Sequence, residues 1–240
     1  MKIALLGYGK MGKEIEKICI EKQYEIIARI DNETDWETYS KDISLADVAI
    51  EFSTPATALE NIKKCFSLNI PIVVGTTAWQ EHAEKLKSEC IANNNSLIFG
   101  SNFSIGVNLF FYINGMFADL MNSYPDYKVK MEEIHHTQKL DAPSGTAISL
   151  ANIIIQHITH LKKWKKGVSN ENDILGIVSQ RIDPTPGTHS ITYSSMVDEI
   201  ELKHTAKSRE GFARGAVFAA EWIKDKKGWF EFKDILFSKS

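Results

Sequence analysis

The densest group of reactive side chains in this 240-residue chain is the run Glu132-Glu133-Ile134-His135-His136-Thr137-Gln138-Lys139-Leu140-Asp141-Ala142-Pro143-Ser144-Gly145-Thr146. Two adjacent imidazoles cannot both be core residues if a strand passes through them, because successive strand side chains point to opposite faces. One of His135 and His136 can then line a cleft as a titrating acid while the other positions a substrate. Lys139, on the loop that follows, is a cation suited to holding a carboxylate or giving up a proton. Ser144 or Thr146 is a natural N-cap for the apolar run Ala147–Ile158, and a capped helix alone would account for either. Gly145 between the two hydroxyls leaves the backbone N–H groups uncrowded, which makes that helix start an anion site.

A second candidate site lies near residue 1. In Lys2-Ile-Ala-Leu-Leu-Gly7-Tyr8-Gly9-Lys10-Met11-Gly12 an apolar run meets a glycine turn and then a helix-like stretch. The first glycine permits the tight turn, the second admits a pyrophosphate to the backbone, and the third lets helix and strand pack closely. Asp31 follows Gly12 by nineteen residues, at the end of the next strand-like run, where a carboxylate can accept from ribose hydroxyls. Residues 7–12 (Gly7, Tyr8, Gly9, Lys10, Met11, Gly12) and Asp31 are thus the expected dinucleotide contacts. Asp31 favours NADH, since a 2′-phosphate beside it is repelled. Lys10 and the neutral donor Asn32 offset that charge, so use of both NADH and NADPH is expected.

These segments need elements to position them. Strand-like runs at Lys2–Leu6, Glu25–Ile30, Val48–Phe52, Ile70–Val74 and Ser96–Phe99 alternate with helix-like patterns at Met11–Glu21, Ala56–Ser67 and Gln80–Asn93. Short apolar strands separated by helices predict an α/β, Rossmann-type parallel sheet covered on both faces. After Ser104 a long apolar helix precedes Tyr127–Ile134, whose period-two pattern is that of a strand with one wet face. Further alternating runs at Ile174–Ile182, His189–Ser195 and Asp198–His204 predict a second, α+β domain on a mixed sheet. The expected division is 1–104 plus 209–240 for the dinucleotide and 105–208 for substrate binding. Phe212–Lys224 is read as a helix returning to the first domain.

Composition narrows the function classes. A net charge of −3 gives no whole-chain attraction to nucleic acid or anionic membrane. The one basic cluster, Lys162–Lys166, reads as a solvated helix end before Gly167. Cys19, Cys65 and Cys90 are widely spaced and odd in number, which predicts buried thiols in a reducing cytoplasm and no structural metal. Val107–Met121 is shorter than the ~20 residues a bilayer requires and reads as a buried helix, and no leader pattern precedes the first strand.

The segment Glu133-Ile-His135-His136-x-x-Lys139-x-Asp141-Ala-Pro-Ser144-Gly145-Thr146 resembles the E-x-H-H-x-x-K-x-D-A-P-S-G-T signature of the 4-hydroxy-tetrahydrodipicolinate (dihydrodipicolinate) reductases. Gly7–Gly12, Gly75-Thr76-Thr77, Ser101-Asn102-Phe103-Ser104-x-Gly106 and Arg209 through Gly215 extend the likeness over nearly the whole chain. The resemblance implies reduction of a small cyclic dicarboxylate in lysine and diaminopimelate synthesis, with NADH and/or NADPH as cofactor. It implies nicotinamide contacts from Gly75, Thr76, Thr77, Gly100, Ser101, Asn102 and Phe103. It implies His135 as acid/base, Lys139 as proton donor, and His136, Ser144, Gly145 and Thr146 on the substrate's carboxylates. It also implies a homotetramer built through the second domain's sheet and a hinge near Ser104 and Arg209. Two departures stand out: the stretch between Asp31 and Asp47 is short, and Asn32 and Thr54 occupy positions where the family carries arginines near the ribose. Other two-domain nicotinamide dehydrogenases share the glycine turn but do not need the His-His-x-x-Lys segment. An NADH-sensing module would need a recognition element that the sequence lacks.

Overall fold

The computed structural model describes residues 1–237, so the last three positions of the expected 209–240 segment lie outside the described residues. The chain divides into two compact units, residues 1–105 with 209 onward, and residues 106–208. The first unit carries β1 (Lys2–Leu6), α1 (Lys10–Glu21), β2 (Glu25–Ile30), α2 (Glu33–Thr38), α3 (Ser40–Ile43), β3 (Val48–Glu51), α4 (Pro55–Ser67), β4 (Ile72–Val74), α5 (Ala83–Ala92) and β5 (Ser96–Phe99). The second carries α6 (Ile105–Met121), β6 (Lys128–His135), α7 (Gly145–His157), β7 (Lys163–Lys166), β8 (Ile174–Arg181), β9 (Gly187–Ser194) and β10 (Glu199–Ala206). The chain then returns to the first unit with α8 (Glu210–Ile223), β11 (Gly228–Glu231) and α9 (Phe232–Phe237).

The first sheet is parallel in the order β11-β5-β4-β3-β1-β2. Its middle strands are apolar and fully buried because helices cover both faces. One face packs on α1 and α8 through Ile15, Ile18, Ala213, Ala216 and Val217; the other packs on α4 and α5 through Ile62, Cys65 and Leu86. All three thiols are buried, and burial pushes Cys19 up to about 12 and Cys90 up to about 11. Strand order reverses between β1 and β3, and the glycine turn lies at the carboxyl end of β1, at the switch point where such sheets bind ligands. The short stretch after Asp31 holds only α2 and α3, with Asn32 as the N-cap of α2.

The second sheet is mixed, β10-β9-β6-β8-β7, with β6 antiparallel to β9 and parallel to β8. One face packs on α6 and α7 through Met131, Ile177 and Ile191 against Phe110, Leu150, Ala151 and Ile154. The opposite face carries Lys128, Lys130, Glu201 and Lys203, all exposed.

Three readings are corrected. Lys162–Lys166 is not a helix end: α7 stops at His157, and residues 163–166 form edge strand β7, paired parallel to β8. Trp164 packs on the apolar cluster from this strand, and lysines on an edge strand discourage pairing with another chain. Helix α6 is not wholly buried: Leu109, Tyr112, Ile113, Met116 and Leu120 are exposed, because the sheet and α7 cover only its other side. The first sheet also gains a sixth strand, β11, for which the sequence pattern gave no expectation. No described helix is long and apolar enough to cross a membrane.

The glycine of Arg209–Gly215 has a packing reason. A Cβ at Gly215 would overlap the carbonyl of Phe103, whose ring is buried against Phe52 and Phe232. Gly215→Ala overpacks that core at a cost of about 1–3 kcal/mol. The variant should melt several degrees lower, and an unshifted Tm would mean that α8 can draw back from Phe103 freely.

Candidate active site

Period-two alternation puts Met131, Glu133 and His135 on the helix-covered face of β6. Strand register then sets their neighbours. Glu133 lies between Ser179 of β8 and His189 of β9, and His189 in turn pairs with His204 of β10. His135 lies beside Arg181. On its other side Gly187 leaves the imidazole room, since a Cβ there would come 3.1 Å from His135 Nε2.

Glu133 has no exposed surface. Both its oxygens accept the Ser144 N–H, at 3.0 and 3.1 Å. Ser144 is the N-cap of α7: its Oγ accepts the Ala147 N–H at 3.2 Å and lies 3.2 Å from His189 Nε2. His135 Nδ1 and His189 Nε2 stand 3.4 and 3.7 Å from Glu133 Oε2, and the Arg181 guanidinium stands 3.7 Å from Oε1. Burial alone would raise the Glu133 carboxyl, but His189 and Ser144 outweigh it and hold the group down at about 2. Burial, then the charge of His189, pushes His135 down to about 4, leaving an uncharged imidazole at neutral pH.

The start of α7 is open. Gly145 is exposed, with no protein atom within 4 Å of where a Cβ would sit. Its N–H and that of Thr146 belong to the first helical turn, where no intrahelical acceptor exists. His136 follows the end of β6 and is half-buried, and Lys139 Nζ pairs with Asp141 at 2.8 Å. The second unit therefore gathers His135, His136, Lys139, Ser144, Gly145 and Thr146 on one strand end, one loop and one helix start. It adds Glu133, His189 and Arg181, for which the sequence gave no role. Glu133 could have been found from its spacing of two residues from His135; the other two arrive only through strand register.

Glu133, His135 and His189 place metal-ligand atoms within 4.8 Å of one another. The carboxylate, however, already takes the Ser144 N–H on both oxygens and faces a guanidinium. The cluster reads as a hydrogen-bonding hub beside an anion site.

In the first unit Gly7 has φ +90, and its N–H donates to Ile30 O at 2.7 Å; a Cβ there would overlap the Phe52 carbonyl. Gly9 caps α1 without a side-chain bond and faces open space, which fits a pyrophosphate at that helix start. Lys10 and Met11 open the helix. The Tyr8 N–H donates to Asp31 Oδ1 at 2.8 Å, and the Tyr8 hydroxyl bonds Glu16, which pairs with Arg29. Asn32 Oδ1 accepts the Asp35 N–H, so its carbonyl is used as a cap. Gly75, Thr76 and Thr77 follow β4, and Gly100, Ser101, Asn102 and Phe103 follow β5, all at carboxyl ends of strands. The Phe103 ring is 2% exposed and serves the core, so only its backbone could meet a cofactor.

Residues 1–103 match the family described as dihydrodipicolinate reductase, N-terminus, and residues 106–236 match dihydrodipicolinate reductase, C-terminus. The 4-hydroxy-tetrahydrodipicolinate reductase of Christiangramia forsetii is 48% identical over 236 residues, 98% of each chain. That of Chromobacterium violaceum is 36% identical over 199 residues, 80% of this chain and 73% of its own. The dipicolinate-bound dihydrodipicolinate reductase from Paenisporosarcina sp. TG-14 superposes with a TM-score of 0.77 at 25% identity, over 98% of this chain and 99% of that one. The chain belongs to the dihydrodipicolinate reductase family.

Proposed function

We propose that this chain reduces 4-hydroxy-tetrahydrodipicolinate to tetrahydrodipicolinate, on the route to diaminopimelate and lysine, with the reacting groups assigned as follows. The observation that carries the assignment is the buried Glu133, which pins Ser144 so that the open start of α7 stands on the same sheet face as His135. A dicarboxylate fits that arrangement, and the solved relative carries dipicolinate.

One substrate carboxylate docks on the N–H groups of Gly145 and Thr146, and the other meets Lys139 and His136. Bound along the turn Gly7–Gly12, reduced nicotinamide, as NADH or NADPH, supplies a hydride. Loss of the 4-hydroxyl as water leaves a conjugated imine, and reduction at ring carbon 4 leaves an enamine that needs a proton. Lys139 gives that proton, and its charge stabilises the electron density pushed toward the ring nitrogen. His135 is neutral before substrate arrives and takes on charge only beside the bound dianion. A cytoplasmic homotetramer, joined through the open face of the five-stranded sheet, completes the reading. The apolar stripe on α6 supports an assembly that covers more of the second unit.

An absorbance assay of NADH with freshly made substrate tests the roles. His135→Ala and Lys139→Ala should each lower turnover on the order of 10²–10⁴-fold while NADH affinity holds, the scale of a lost proton-transfer group. Parent-like turnover in both variants would remove them from the reaction.

The depressed His135 sets a pH expectation. A histidine lowered to about 4 is protonated only below that value, so the free enzyme carries it neutral through the neutral range. The profile of kcat/KM, which reports free-enzyme groups, should then show no His135 inflection between about pH 5.5 and 7.5. An inflection near the ordinary value of about 6.5 that vanishes in His135→Gln would show a freely titrating imidazole.

Both nicotinamide cofactors should support turnover, with NADH ahead because Asp31 faces the ribose side of the turn. Steady-state rates decide it; a preference beyond about a hundredfold for NADPH would mean that Asp31 does not govern the choice.

A further inference from the structure

The loop that carries His136 and Lys139 runs from the end of β6 to Asp141 and contains no strand or helix of its own. It is not held by apolar packing either. Thr137, Gln138 and Asp141 are exposed, and Leu140 is 97% exposed. A segment of this kind would sample many conformations unless polar contacts fixed it.

Three consecutive residues at the end of β8 supply those contacts. The Ile182 N–H donates to His135 O at 2.8 Å, continuing the strand pairing to the last residue of β6. The Thr137 N–H donates to Asp183 Oδ1 at 3.1 Å, and the Thr137 hydroxyl to Asp183 Oδ2 at 2.6 Å. Arg181 Nε donates to Lys139 O at 3.1 Å and Arg181 Nη2 to Asp141 O at 2.5 Å. Residues 135, 137, 139 and 141 are each held, residues 139 and 141 through their backbone carbonyls, while the Lys139 ammonium pairs with the Asp141 carboxylate at 2.8 Å. The guanidinium is fixed in turn: Nη1 donates to Gln180 O at 2.8 Å, and Nη2 stands 3.7 Å from buried Glu133.

From this we infer that Arg181-Ile182-Asp183 is a clasp, with Arg181 and Asp183 as positioning residues that preset the loop so that Lys139 meets the substrate in register. The inference rests on the role proposed above for Lys139. A guanidinium suits the task because its planar fork donates to two carbonyls at once, which a lysine ammonium on a flexible stem does not reproduce.

A double-mutant cycle on the full-length enzyme tests it. Arg181→Ala and Lys139→Ala are compared singly and together by kcat/KM in the NADH assay, with NADH affinity as the check on folding. Arg181→Ala alone should lower kcat/KM on the order of 10²-fold, the scale of a reacting group displaced by about an ångström. On the Lys139→Ala background the same change should add almost nothing, because its effect passes through Lys139. Arg181→Lys should recover little. Losses that multiply would overturn the clasp while leaving the role of Lys139 intact. A Lys139→Ala enzyme with parental kcat/KM would instead strike out the catalytic assignment, and the clasp with it. Should Arg181→Ala not fold, Asp183→Ala enters the same cycle from an exposed position and must show the same non-additivity.

Discussion

The second unit is organised around an ionised carboxylate that water does not reach. Removing Glu133 from water costs several kcal/mol unless charge and hydrogen bonds compensate, so the strands and helix around it are constrained to supply them. The Ser144 N–H, His189 and Arg181 do so from three different elements. Each of those partners is thereby fixed in place. Ser144 cannot leave without taking a hydrogen bond from both carboxylate oxygens, and the start of α7 follows Ser144. His135 is lowered by its own burial and by His189, against the pull of the Glu133 carboxylate. The buried charge thus sets a helix terminus and an arginine's direction together.

The two units prepare for negative charge by opposite means. Around Gly7, Gly9 and Gly12 the first unit removes side chains from the backbone, and at Gly9 the helix start faces open space. Its turn is pinned from outside by Ile30 O and Asp31. Asp31 therefore holds the turn through a hydrogen bond from the Tyr8 N–H, which makes it costly to replace. The second unit instead concentrates cations and imidazoles, His135, His136, Lys139, Arg181 and His189, beside the open start of α7.

What could be read from the chain follows from how far apart the cooperating residues lie. The parallel sheet was legible because its strands are mostly apolar and alternate with helices within a hundred residues. The strand ending at His135 was legible from its alternation, and the helix start from Ser144-Gly145. His189, Arg181 and Asp183 were not, because they reach Glu133 and the Lys139 loop through pairings 46 to 56 residues away in sequence. No local pattern encodes that register. The strand of Lys163–Lys166 was misread since four residues, three of them lysine, hold too little apolar signal to outweigh the helix before them. The partial exposure of α6 escaped for a related reason: an apolar helix announces that it will be covered, but not by what.

The way the Lys139 loop is ordered has its own logic. Apolar anchoring would dry the loop and penalise any charge it carries, that of Lys139 included. Polar clasping orders the backbone and leaves the surface hydrated, so Leu140 can sit almost wholly in water beside a fixed Lys139. The cost is that such bonds are individually modest, about 0.5–1.5 kcal/mol net each, and several must act together. Five bonds from three consecutive residues meet that need, and their anchor is Arg181, which the buried Glu133 holds from behind. Order in this loop therefore spreads outward from the buried Glu133, through Arg181, to the hydrated backbone around Lys139.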